Sequence, residues 1–104
     1  MSFKKIISIL FFLIFSISAL ADSKIDLGIE VYNNKAQCGV CHTLQAAGSA
    51  GNIGPDLDHR KPLLPEIMHV LKNGKGVMPS FEGILTIEEM ESVAQFVFSN
   101  TIDK

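Results

Sequence analysis

The feature that most limits this chain is the pentapeptide Cys38-Gly39-Val40-Cys41-His42, which holds both cysteines of the 104-residue sequence. A disulfide between residues so close in sequence closes a very short loop. It removes little entropy from the unfolded chain and is a poor structural staple. Yet a chain this small buries a modest core and usually needs some staple to stay folded. The pentapeptide must serve another chemistry.

Three chemistries use cysteines at this spacing. A thioredoxin-like redox pair belongs in a βαβ setting, and the hydrophobic pattern here suggests no strands. A zinc site would have to recruit His59 or His69, which are ten residues apart in sequence, whereas zinc motifs place their paired histidines about three to five apart. The third is covalent attachment of haem c, whose signature is Cys-x-x-Cys-His. Two thioethers must reach the two vinyl groups on one porphyrin edge, and the adjacent histidine must stand on the iron axis. A helical turn from Cys38 to His42 meets both demands. A chance match in a disulfide protein is the remaining alternative.

Haem attachment of this kind takes place outside the cytoplasm, and the N-terminus carries an export address. Lys4 and Lys5 precede an apolar run from Ile6 to Leu20, and Ala19-Leu20-Ala21 is a small-x-small cleavage site. The run is shorter than the about 20 apolar residues of a spanning helix, so an uncleaved anchor is the weaker alternative. Residues 1–21 are expected to be a cleavable signal peptide and residues 22–104 a single domain. The mature protein is expected in the periplasm, without a stable membrane span. Losing Lys4 and Lys5 makes the formal charge of −2 more negative by two. A mildly acidic exported chain is poorly suited to nucleic acid.

Beyond the leader the pattern suggests three helices. The first runs from about Lys24 to Asn33, with Ile25, Gly28, Ile29 and Tyr32 on one side. The pentapeptide turn follows from Lys35, and then a long loop from Thr43 to Lys61. Its Gly48, Gly51 and Gly54 match neither the dinucleotide nor the P-loop spacing, so an ordinary loop is expected. A second helix opens near Pro65, a good first-turn residue, and stops at Gly74. The third opens on the capping box Thr86-Ile87-Glu88-Glu89 and continues to about Asn100. Residues Lys75 to Leu85 are broken by Gly76, Pro79 and Gly83.

In combination these elements resemble the class I c-type cytochromes, the small monohaem family. The likeness runs from Gly28 to about Asn100. Gly28-x-x-x-Tyr32 resembles the family's first helix and Gly54-Pro55-Asp56-Leu57 its loop after the haem motif. Val77-Met78-Pro79-Ser80-Phe81 resembles its sixth-ligand loop, and Phe96 matches the aromatic of its last helix. The resemblance implies an all-α fold, three main helices and long loops wrapped around one covalent haem c. It implies a close crossing of the first and last helices at Gly28 and Phe96; the alternative is a tolerated helix glycine.

Cys38 and Cys41 are thus the expected covalent haem residues and His42 an expected iron ligand. For the other axial position, Met68 and Met90 fall at helical positions and read as core. Met78 lies in an irregular loop whose backbone Pro79 fixes, and the resemblance implies the same residue. His59 and His69 are the alternatives. The resemblance also implies that the carbonyl of Pro55 accepts the free N–H of the histidine ligand, as metal-bound histidines usually require; the alternative is that Pro55 merely makes a turn. Arg60 is a candidate partner for a haem propionate; the alternative is a solvated surface arginine.

Histidine and methionine together fill both axial positions, which points to electron transfer and away from oxygen chemistry. The expected function is periplasmic electron transfer by Fe(II)/Fe(III) cycling, without enzymatic activity of its own. The protein would be a soluble shuttle or the cytochrome subunit of a periplasmic dehydrogenase, with redox proteins as donor and acceptor. A haem sensor or peroxidase-like enzyme with a displaceable Met78 is the alternative. Lys72, Lys75, Arg60 and Lys61 suggest a basic face near the haem edge, with Glu88, Glu89 and Glu91 on another; a plain solvated surface is the alternative.

Overall fold

A computed structural model describes residues 23–103; the leader expected at 1–21 lies outside the described residues. Helix α1 covers residues 23–30 and widens into a π-type turn over Val31–Lys35. A 3-10 turn at Cys38–Val40 follows, then the short strands β1 (Thr43–Leu44) and β2 (Ser49–Ala50) on either side of a second 3-10 turn. Helices α2 (Leu57–Arg60), α3 (Leu64–Asn73) and α4 (Ile87–Thr101) complete the order. The all-α expectation holds, and the three long helices fall where the sequence places them. Among the described residues, no helix is long and apolar enough to cross a membrane.

The stretch from Thr43 to Lys61 is not the plain loop expected, and the expectation of no strands is corrected. β1 and β2 pair antiparallel, Thr43 opposite Ala50 and Leu44 opposite Ser49. Strands of two residues are too short for alternation to register in sequence. α2 is a single turn. The side chain of Asp56 caps it by accepting from His59 N at 3.2 Å, and Lys61 ends it in a left-handed conformation with φ of 49°.

The crossing of α1 and α4 organises the rest. A Cβ added at Gly28 would lie 2.4 Å from the Ser92 carbonyl oxygen and 2.9 Å from Phe96 Cβ. Any side chain there would drive the helices apart, so Gly28 is required and is no merely tolerated helix glycine. One turn on, Tyr32 meets Phe96 edge to face, with ring centroids 5.7 Å apart. Val31, Tyr32, Leu44, Met90, Val93 and Ala94 are nearly or fully buried around this crossing.

Two caps fix the long helices. In α3, Pro65 sits in the first turn and Gly74 closes the C-terminus, its N–H donating to Val70 O. In α4 the capping box forms as read: Glu89 N donates to Thr86 Oγ1 at 3.1 Å, and Thr86 N to Glu89 Oε1 at 2.9 Å. Lys35, at the end of the π turn, donates to Glu89 Oε2 and so joins α1 to the start of α4. The Lys35 bond foremost, with the Thr86 backbone N–H, holds the Glu89 carboxyl below the usual carboxylate range. The pKa is lower folded than unfolded. This contribution to stability is therefore present above the unfolded value and fades as pH falls through the folded one.

Candidate functional site

The pentapeptide is a tight turn whose two internal bonds share one carbonyl. Cys41 N and His42 N both donate to Cys38 O, at 3.1 and 3.0 Å. Gln37, left-handed with φ of 50°, breaks the chain direction just before it. The turn brings Cys38, Cys41 and His42 to the wall of one cavity of about 570 Å³.

His42 is locked in orientation. Its Nδ1–H donates to the carbonyl of Pro55 at 2.8 Å, which leaves Nε2 as the nitrogen with a free lone pair. The neighbouring residue must be small for this to happen. A Cβ at Gly54 would lie 2.5 Å from His42 Cε1. The Gly54-Pro55 dipeptide thus admits the ring with one residue and anchors it with the next.

Met78 reaches the same cavity from the other side of the sequence. It closes a two-residue turn in which Lys75 N donates to Met78 O and Met78 N to Lys75 O, both at 3.0 Å. Met68 and Met90 do not line this cavity. Met90 is buried in the core, and Met68 packs beside Leu64 and Ala94 at a separate cleft between helices. His59 and His69 are exposed on α2 and α3 and are also absent from the cavity wall.

The remaining wall is largely apolar: Leu57, Ile67, Leu71, Phe81, Val93 and Val97. Burial pushes the Cys38 thiol up to about 11, and the nearby Cys41 adds to the effect, so at neutral pH the sulfur is the uncharged thiol. Tyr32 also lines the cavity. Its hydroxyl bonds Ser49 Oγ at 2.9 Å, and burial raises its pKa. This is a cavity for a large, mostly apolar group. It offers two thiols, one fixed imidazole and one thioether, the donor set that haem c requires. The residues present fit that group, and Cys38, Cys41, His42 and Met78 are the ones that would hold it.

Arg60 lines the cavity too, but its guanidinium donates to Glu66 Oε2 at 2.7 Å, with both side chains about half exposed. Such an exposed pair contributes about 0–1 kcal/mol. Glu66 was not singled out from the sequence, and neither was the Tyr32–Ser49 pair. The α3 register predicts Glu66 one position from the buried Ile67. A serine seventeen residues from its tyrosine partner leaves no local signal.

Comparisons with known proteins agree with this geometry. The family model described as "Cytochrome C oxidase, cbb3-type, subunit III" matches residues 23–97, from α1 through most of α4. Cytochrome c6 of Pyropia yezoensis is 31% identical, over 94% of this chain and 96% of that protein. Cytochrome c6 of Petalonia fascia is 35% identical, over 64% of this chain and 82% of that protein. The crystal structure of the c-type cytochrome SorU from Sinorhizobium meliloti is similar with a TM-score of 0.71 and 40% identity, covering 77% of this chain and 93% of that one. With the haem-attachment pentapeptide, a fitting cavity and relatives of this length, the chain belongs to the class I monohaem c-type cytochromes, electron carriers with one covalently bound haem c.

Proposed function

We propose that Cys38 and Cys41 would hold the haem covalently, as thioethers, and that His42 and Met78 would be the residues that bind its iron. We also propose that the chain, exported and cleaved after Ala21, passes single electrons between periplasmic redox proteins. It would do so as a diffusible shuttle or as the electron-accepting subunit of a dehydrogenase. One observation carries the ligand assignment: all four side chains line one cavity, and the other described methionines and histidines do not. When bound, the haem supplies one-electron Fe(II)/Fe(III) chemistry.

The chain's residues shape that chemistry. Pro55 holds the His42 ring and keeps its proton on Nδ1. The thioether of Met78, bound to the iron, would favour its reduced state and raise the potential. With His42 and Met78 both holding the group, the chain itself would supply its ligands, which supports a carrier over a sensor or peroxidase. Ile67, Leu71, Val93 and Val97 exclude water and disfavour extra charge. Val40, Ile53 and Val77 line the cavity mouth yet stand mostly exposed, and Lys75 lies with them. This rim is an apolar contact surface beside the Lys75 cation, where a partner would approach the group.

The attachment is tested by changing both cysteines. The protein with Cys38→Ala and Cys41→Ala is expected to carry no haem after acid-denaturing electrophoresis, while wild type keeps all of it. Haem that stays on the double variant's chain would contradict the assignment.

A further inference from the structure

The loop that carries Met78 is held against the end of α3 by a second set of bonds. A helix leaves its last carbonyls without partners inside the helix, and something else must satisfy them. In α3, Gly74 N takes Val70 O at 2.8 Å. The next two carbonyls are taken from far along the chain. Phe81 N donates to Leu71 O at 2.8 Å, and the Ser80 hydroxyl donates to Lys72 O. The same Ser80 oxygen accepts from Glu82 N at 3.2 Å. The arm leaving Met78 therefore serves as the C-terminal cap of α3.

These ties leave little room for the arm to move. A Cβ at Gly74 would lie 2.7 Å from Met78 O and 2.9 Å from Ser80 N, so the helix end and the loop are in direct contact. The Lys75–Met78 turn closes the loop on the other side. Of the bonds that hold Met78's downstream arm to α3, the Phe81 bond is backbone to backbone. The Ser80 bond alone, among the described residues, depends on a side chain. It is also exposed, and its loss opens no core cavity.

We infer that Ser80 is a positioning residue: its hydroxyl latches the Met78 loop to the carbonyl end of α3 and holds the thioether in the cavity. The inference rests on Met78 being the axial ligand. Ser80 does not line the cavity. It acts by setting how often the loop opens, and hence how readily an outside ligand replaces Met78. A hydroxyl that donates to a helix carbonyl and accepts from a backbone N–H two residues on fixes both ends of a short arm at once. Alanine at 80 would free Lys72 O and Glu82 N to solvent while leaving Phe81 N in place.

The test uses the exported holoprotein as wild type, Ser80→Ala and Ser80→Thr. Imidazole is titrated into the oxidised protein, and replacement of Met78 is read by loss of the methionine–iron charge-transfer band. Ser80→Ala is expected to raise the apparent imidazole affinity about tenfold, the loss of a hydrogen bond or two. Ser80→Thr keeps the hydroxyl and is expected to bind imidazole as wild type does. A general loss of stability would shift the far-UV thermal melt but would not by itself raise imidazole affinity. Equal affinity in Ser80→Ala and wild type would overturn the latch, and so would an equal rise in both variants. A wild-type spectrum without the band would instead overturn the Met78 assignment, and the latch with it.

Discussion

Protein made in the cytoplasm without residues 1–21 and without haem will be largely unfolded or molten. Its far-UV circular dichroism will lack the cooperative melt of the holoprotein. The reason lies in what the core packs against. Tyr32, Ile67, Leu71, Val93 and Val97 all belong to the buried core, and all of them line the 570 Å³ cavity. An engineered apolar cavity of about 150 Å³ already stays empty in water, and the Leu→Ala substitutions that open such spaces cost about 3–5 kcal/mol. A whole domain is stable by about 5–15 kcal/mol. A core wall with a cavity this large beside it cannot keep its contacts. The helices offer no reserve, since α3 has 10 residues and α4 has 15, and isolated helices of that length are marginal in water. A group that binds only the native chain stabilises it by linkage, here as part of the core. A cooperative melt of the haem-free protein with holo-like helicity would show that the polypeptide core suffices.

Replacing Met78 by alanine is expected to have the largest effect on the redox site. The fold should survive, because Met78 lies in a loop whose backbone bonds run through Lys75 and Phe81. The iron should turn high-spin or take a substitute ligand, and the reduction potential should fall. Axial ligands set haem potentials over about 0.8 V, so a fall on the order of 100 mV or more is reasonable. Met90→Ala and Met68→Ala are the controls. Met90 is buried, and its truncation should cost about 2–5 kcal/mol of stability. Neither control should change the low-spin spectrum. A low-spin, unshifted Met78→Ala protein beside an altered Met68→Ala or Met90→Ala protein would reassign the ligand.

Those features of the site that depend on local chemistry were legible in the sequence. The pentapeptide turn, the capping box at Thr86 and Glu89, and the stop at Gly74 each follow from a few adjacent residues. The crossing at Gly28 came with the family resemblance, and its geometry is visible once α4 presents Ser92 and Phe96 to it. The strands β1 and β2 were missed because two residues cannot establish a period. Helix α2 was missed because one turn has no hydrophobic face, and only Asp56 and Lys61 mark its ends. Long-range partners were also invisible. Lys35 finds Glu89 across 54 residues, and the ion pair of Arg60 with Glu66 could not be told from a solvated arginine without the fold. The Ser80 latch depends on a helix end eight residues earlier in the chain, which no local pattern reports.

As proposed above, one covalent haem would be held in this cavity by His42 and Met78 and would carry electrons. The most direct measurement is the absorption spectrum of the purified exported protein, recorded oxidised and then reduced. A low-spin haem c spectrum is expected in both states, with a methionine–iron charge-transfer band when oxidised and full recovery on cycling. A high-spin oxidised spectrum without that band would contradict it, as would the absence of haem.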